Sequence, residues 1–145
     1  MPVDLPHGST DAVRHFSHDG FEFAYIDPHA GTSGEPVLLV HGFASSMTVN
    51  WIGPGWMKVL ADAGYRPIAF DHRGHGLTSK SYDPAAYTPD KMASDAAALL
   101  AALRIDRAHV FGYSMGAGVS AFLALAEPAL AGTLILGGLG MGLVE

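Results

Sequence analysis

The sequence contains no cysteine, which excludes disulfide bonds, a thiolate nucleophile and cysteine-ligated metals within this chain. Basic residues are also few: eight Lys and Arg against 14 Asp and Glu give a net charge of −6, which argues against nucleic acid as the main partner. No apolar run reaches the roughly 18 residues of a membrane-spanning segment, and the first eight residues lack the pattern of a signal peptide. We therefore predict a cytoplasmic protein that binds neither nucleic acid nor membrane.

Charged residues of either sign are scarce as well. They make up 15% of the chain, against about 25% in a typical domain, while apolar residues make up 49%. A small domain has proportionally more surface to cover than a large one. This composition favours a piece of a larger core, although the 18 glycines also allow a Gly- and Ala-rich independent domain.

Short apolar runs alternate with helical patterns along the chain. Residues 1–12 are polar and predict a loosely held N-terminal arm, and an Asp19-Gly20 turn predicts a hairpin over residues 14–26. The predicted central strands are Pro36–Val40, Arg66–Phe70, Ala108–Tyr113 and 133–136. The predicted helices are 56–63, 88–103 and 115–127. This order predicts an α/β fold, with a mostly parallel central sheet, helices on both faces and an N-terminal hairpin.

The strongest candidate for chemistry is Ser114, in the run Gly112-Tyr113-Ser114-Met115-Gly116 between a predicted strand and a predicted helix. A sharp turn there would project the serine above the sheet, with Gly112 and Gly116 leaving room for the crossing. The helix N-terminus would favour negative charge beside it. The same run would also suit a structural turn that packs a helix on a strand.

Two further motifs, each following a predicted strand, strengthen the catalytic interpretation. With His41-Gly42-Phe43 and Asp71-His72-Arg73-Gly74-His75-Gly76, the sequence resembles the α/β-hydrolase family from the hairpin onward. The resemblance implies that Ser114 is the nucleophile and that the backbone N–H groups of Phe43 and Met115 form the oxyanion hole. It also implies supporting roles for His41, Gly42, Asp71 and Arg73, and no cofactor.

The remaining candidates have competing interpretations. Asp71, His72 and His75 have a spacing that suits a metal, but the family turn already explains them, so no metal is expected. His41 is expected to pack rather than to act as a base. Met47 and Trp51 would line either an acyl pocket or the core. Five histidines are expected to be solvated: His7, His15, His18, His29 and His109.

The catalytic set is incomplete in this sequence. A serine triad needs a histidine and an acid, which in the family follow the serine along the chain. All eight histidines precede Ser114, and Glu145 is a poor candidate for the acid. We therefore expect residues 13–145 to be the N-terminal half of a hydrolase core, with the C-terminal half on a second chain. A truncated form and a short self-associating protein are the alternatives.

The expected function is hydrolysis of a small-molecule carboxylic ester through an acyl-enzyme on Ser114. C–C bond hydrolase, thioesterase, lactonase and perhydrolase activities of the same fold remain open. A catalytically inactive or purely binding form is the alternative from another class.

Overall fold

A computed structural model describes residues 13–139, so the predicted arm, His7 and Glu145 lie outside the described residues. The chain enters through a hairpin of two strands, β1 (Arg14–His18) and β2 (Phe21–Ile26). Asp19 and Gly20 both have positive φ, at 51° and 78°, as a tight hairpin turn requires. The predicted hairpin is confirmed.

Four more strands complete a six-stranded sheet: β3 (Pro36–Val40), β4 (Arg66–Phe70), β5 (Ala108–Tyr113) and β6 (Ala131–Gly137). The spatial order is β1-β2-β4-β3-β5-β6. The hairpin pairs antiparallel with β4, and the other strands are parallel. Strand β6 is longer than its predicted range because it pairs along the length of β5, from Ala108 with Ala131 to Tyr113 with Gly137.

Three α-helices connect the parallel strands: α1 (Trp56–Asp62), α2 (Pro89–Ala102) and α3 (Met115–Ala126). Each begins and ends within one residue of its predicted range. A π-helical segment, Thr48–Ile52, and a 3-10 turn, Pro84–Ala86, were not predicted. Over the described part of the chain, no helix combines the length and apolar character that a bilayer crossing would need.

The core lies on both faces of the sheet, and β3 shows why. Leu38 and Val40 face a cluster that α2 and α3 complete, whereas Val37 and Leu39 face a second cluster that includes the π-helical segment. Alternate residues of a strand point to opposite faces, so a strand covered on both sides must be apolar throughout. The fold is therefore the predicted mostly parallel α/β arrangement, and it brings the carboxyl ends of β3, β4 and β5 to one edge.

Candidate active site

Ser114 lies at the junction between β5 and α3, in a backbone conformation that few side chains adopt. Its φ is 56° and its ψ is −119°, a strained region for any residue other than glycine. Hydrogen bonds of the Ser114 backbone N–H and C=O groups stabilise this strained conformation. The Ser114 N–H donates to Gly137 O at the end of β6 (2.8 Å), and Ser114 O accepts from Ala117 N (3.0 Å).

The two glycines of the run are required by the space around them. A Cβ on Gly116 would collide with the carbonyl oxygens of Val40 and His41, at the end of β3. A Cβ on Gly112 would collide with Gly116 O and the Ser120 hydroxyl. The sharp turn into α3 therefore depends on glycine at both positions, as the sequence pattern indicated.

The loop after β3 packs directly against the serine. A Cβ placed on Gly42 would lie 3.3 Å from Ser114 Cβ. On either side of Phe43, side chains accept hydrogen bonds from the backbone N–H groups of this loop. Gly42 N donates to Asn50 Oδ1 (2.8 Å), and Ala44 N donates to His75 Nε2 (3.1 Å). Met47 N donates to Asp71 Oδ1 (2.8 Å).

The two predicted oxyanion donors, the backbone N–H groups of Phe43 and Met115, take no part in these hydrogen bonds. Among residues 13–139, no acceptor is hydrogen-bonded to the backbone N–H of Phe43 or of Met115. Both residues also line one cavity of about 550 Å³. Both N–H groups are therefore available to an acceptor outside residues 13–139, and their part in an oxyanion hole stays a prediction.

The rest of the cavity comes from the loop after β4 and from α2. Its lining residues are Phe43, Ala44, Gly74, His75, Tyr87, Met92 and Met115. Sequence reasoning did not identify Tyr87 or Met92, nor the part that Asn50 has in holding the loop. Their positions depend on the paths of irregular loops and on how α2 packs, which no local sequence pattern indicates.

Met47 and Trp51 do not line this cavity, so the possible pocket assignment is corrected in favour of the core alternative. Their exposures are 1% and 2%. Both belong to the cluster on the other face of the sheet, where the Trp51 ring packs edge-on against Phe111 at 4.9 Å between centroids. The π-helical segment turns Trp51 into the core.

Asp71 and Arg73 connect the loops around the site. Besides Met47 N, the Asp71 carboxylate accepts from Leu77 N (2.9 Å). Burial raises the pKa of Asp71, and these two backbone hydrogen bonds oppose the rise.

The Arg73 guanidinium is almost fully buried and binds Asp95 of α2 through two hydrogen bonds of 2.8 and 2.7 Å. It also donates to Ala86 O (2.8 Å) and to Asp19 of the hairpin turn (3.0 Å). Asp95 is the main reason why the pKa of Arg73 is raised. One side chain thus connects the hairpin, the 3-10 turn and α2.

His41 and His72 are buried and neutral behind the loop that follows β3. Burial lowers the pKa of His41 to about 4 and lowers that of His72 well below its usual range. His41 Nδ1–H donates to Gly42 O (2.7 Å), and its Nε2 accepts from His72 N (3.0 Å). These bonds assign His41 the packing role that the sequence indicated and leave it no free nitrogen for a base.

The residues with metal-like spacing do not converge on a common point. His72 Nε2–H donates to His41 O (2.8 Å), both ring nitrogens of His75 are engaged, and Asp71 binds backbone N–H groups. Within residues 13–139 no group of three or more His, Asp or Glu is placed to hold a metal ion.

His18 and His109 are less solvated than expected. His109 is part of β5, contacts the Glu35 carboxylate and accepts from Thr133 N (3.1 Å). His18 is hydrogen-bonded to the Ser94 hydroxyl at 3.3 Å. In the described part of the chain, no side chain is hydrogen-bonded to the Ser114 hydroxyl, so no candidate base contacts this serine among residues 13–139.

Comparison with known proteins identifies the family. A model of the alpha/beta hydrolase fold matches residues 35–138, well over half of the chain. The chain therefore belongs to the α/β-hydrolase family, as the motifs indicated.

Similar proteins have several activities. A Variovorax paradoxus protein provisionally named a carbamate hydrolase is 36% identical over 77% of this chain and 41% of its own length. A non-heme chloroperoxidase of Kitasatospora aureofaciens is 35% identical over 70% of this chain and 34% of its own. The crystal structure of a Vigna radiata epoxide hydrolase superposes with a TM-score of 0.76 at 25% identity, covering 86% of this chain and 37% of its own. The chain thus spans less than half the length of these relatives.

Proposed function

We propose that this chain supplies the nucleophile and the oxyanion hole of a serine hydrolase that cleaves carboxylic esters. The observation that carries the proposal is the strained turn at Ser114, which packs against Gly42. The backbone N–H groups of Phe43 and Met115 have no acceptor among the described residues. Backbone strain is concentrated at functional sites, and the residue that follows Ser114, Met115, lines the cavity.

The reaction would proceed in two halves. Ser114 Oγ attacks the ester carbonyl, its proton passes to a histidine base, and the tetrahedral oxyanion is held by Phe43 N–H and Met115 N–H. The alcohol leaves with that proton, and an ester between the acyl group and Ser114 remains. Water, deprotonated by the same histidine, then releases the carboxylic acid and restores Ser114.

The base and its orienting acid would come from a C-terminal half that this chain does not contain, carried on a second chain. All eight histidines precede Ser114, and His41 and His75 use both ring nitrogens in the loop network. Strand β6 forms one edge of the described sheet, where a further strand could pair. Large apolar side chains are exposed on β6 and α3: Phe122, Leu125, Ile135 and Leu136.

A serine nucleophile is compatible with some of the activities found among the relatives and incompatible with others. A serine that opened an epoxide would form an ether, which has no carbonyl for water to attack in a second step. Carbamates, lactones and esters all present a trigonal carbonyl that Ser114 could attack. One solved structure that resembles this chain, at 27% identity and a TM-score of 0.71, is that of an enzyme described as degrading an N-acyl homoserine lactone. We therefore favour acyl transfer over epoxide opening.

The chloroperoxidase relative supports a second candidate within the same chemistry. If hydrogen peroxide replaced water in the second half-reaction, it would take the acyl group from Ser114 and leave as a peracid. The first half-reaction would be unchanged, and product analysis with and without peroxide would distinguish the two outcomes.

A rapid-mixing assay with p-nitrophenyl esters tests the proposal, using the native protein with any associated chain retained. We expect a burst of p-nitrophenol, followed by slower turnover as the acyl-enzyme accumulates. Ser114→Ala should abolish both phases, whereas Ser17→Ala, at an exposed position on β1, should change neither. Retention of the burst in Ser114→Ala would exclude Ser114 as the nucleophile.

A further inference from the structure

His75 is held on both sides by backbone groups that fix its tautomer. Nδ1 lies 2.9 Å from Arg73 O, and Nε2 lies 3.1 Å from Ala44 N. A carbonyl oxygen only accepts and a backbone N–H only donates, so the proton must be on Nδ1 and the lone pair on Nε2. The ring is neutral in this arrangement and has no nitrogen left for the substrate.

His75 accepts a hydrogen bond from the backbone N–H of Ala44, a strained residue in the loop that follows β3. Ala44 has a φ of 56°, a left-handed conformation that alanine rarely adopts without support. The peptide group that carries this N–H joins Ala44 to Phe43, the predicted oxyanion donor. The Phe43 N–H itself belongs to the preceding peptide group, Gly42–Phe43, which is joined to this one through the Cα of Phe43. Fixing the Phe43–Ala44 peptide therefore restricts, from one side, the backbone rotation that sets the direction of Phe43 N–H.

Other side chains hold the loop on either side of this peptide. Asn50 accepts from Gly42 N and Asp71 from Met47 N, so both ends of the segment are fixed without His75. The His75 ring is also close to the Phe43 ring, at 6.0 Å between centroids, and to His41, at 5.2 Å. It is part of the cavity wall and separates His41 from the cavity.

We propose that His75 is a positioning residue, whose Nε2 acceptor holds the strained Phe43–Ala44 peptide in the conformation that leaves Phe43 N–H unengaged at the cavity. His75 does not exchange protons with the substrate. Its part in catalysis rests on the proposed function, while its part in the loop conformation stands on the hydrogen bonds alone.

Two variants separate the acceptor from the bulk of the ring. The side-chain amide introduced by His75→Gln would present its Oε1 close to the position of the imidazole Nε2, whereas His75→Leu keeps a side chain of similar reach without an acceptor. His15→Leu, at an exposed position on β1, is the matched control. The native protein is compared with all three by amide hydrogen exchange at Ala44 and by the kcat and KM for ester hydrolysis. ¹⁵N NMR of the native imidazole reports the tautomer.

We expect the His75 ring of the native protein to carry its proton on Nδ1. In His75→Leu, exchange at Ala44 should accelerate roughly tenfold or more, because its only acceptor is gone. The kcat should fall roughly 10- to 100-fold with KM within about twofold, since a misplaced oxyanion donor affects the transition state more than substrate binding. His75→Gln should remain close to the native protein on both measurements, and His15→Leu should match it.

Three results would overturn the inference. One is a native ring protonated on Nε2, which needs no variant and so is informative even if His75→Leu does not fold. The others are unchanged Ala44 exchange in His75→Leu, and a kcat unaffected while exchange accelerates. If the native protein hydrolyses no ester, the proposed function fails, and the tautomer and exchange rate still decide whether His75 holds the loop.

Discussion

Gly116 and Gly118 lie two residues apart near the start of α3, but their surroundings differ completely. A methyl group on Gly116 would overlap the backbone at the end of β3, whereas one on Gly118 would meet nothing within 4 Å. Only the first glycine is therefore required by the close approach of helix and strand, and the second is a matched control in the same helix.

At the residue scale we expect Gly116→Ala to destabilise the protein by about 2 to 3 kcal/mol, because backbone atoms must move to admit the methyl group. Gly118→Ala should be neutral or stabilising by up to about 1 kcal/mol, since alanine favours the helix. Urea denaturation of the two variants measures the difference. Equal stabilities would show that α3 does not approach β3 as closely as described.

Sequence reasoning at this scale succeeded where the signal is local. The sharp turn at Ser114 was predicted from five consecutive residues between an apolar strand and a helix. The part of His75 could not be predicted, because it contacts Ala44, 31 residues away along the chain. The parts of Asn50 and Tyr87 could not be predicted either, because they depend on irregular loops that bring Asn50 to Gly42 and Tyr87 to Ser81. Met47 and Trp51 could have faced either the core or a pocket, and the unpredicted π-helical segment decides between them.

At the scale of elements, Arg73 is the connection most sensitive to change. The buried pair with Asp95 links the loop after β4 to α2. Removing one partner leaves the other charge buried and unpaired, so we expect Arg73→Met to cost about 3 to 5 kcal/mol. The double variant Arg73→Met with Asp95→Leu should recover much of that loss, and equilibrium unfolding of all three proteins gives the comparison. A double variant no more stable than Arg73→Met would contradict the account.

The buried histidines that follow β3 and β4, His41 and His72, should also make the stability of the protein depend on pH. The pKa of His41 is about 4 in the folded protein, against an ordinary value of 6.5, so the unfolded chain takes up a proton at mildly acidic pH that the folded chain does not. The stability that neutral His41 provides is complete above about pH 6.5 and is lost as the pH falls towards 4.

We expect the loss attributable to His41 to be about 2 kcal/mol between roughly pH 7 and pH 4.5. The lowered pKa of His72 adds to it in the same direction. Unfolding free energies of the native protein and of His41→Gln over this range isolate the His41 share, because the variant lacks that titration. Parallel pH curves would show that His41 is not held neutral.

Elements were predicted most accurately where a run is apolar throughout. Strands β3, β4 and β5 have the predicted bounds because each is covered on both faces and ends at a motif. Strand β6 was underestimated, since pairing with β5 extends it into Ala131 and Gly132, which have little strand preference of their own. The 3-10 turn at Pro84–Ala86 lies in a loop whose path is set by contacts with Tyr87 and Arg73.

At the scale of the whole molecule, the apolar surface on β6 and α3 should be covered by another part of the fold. Leu125 is 82% exposed, and Ile135 is 46% exposed. Exposed apolar side chains on an edge strand and on the helix beside it favour association. Native mass spectrometry should therefore detect a second polypeptide with this chain, and Leu125→Lys should weaken the association while Val59→Lys, at an exposed position on α1, should not. A native sample that contains only this chain would contradict the two-chain proposal.

If Ser114 is an activated nucleophile, as we propose, it should react with an active-site label. The native protein is treated with a fluorophosphonate, and the modified peptide is identified by mass spectrometry. The account predicts a single covalent adduct on Ser114, lost in Ser114→Ala and retained in Ser17→Ala. A native protein that hydrolyses esters but carries the adduct on another residue, or carries none, would contradict it.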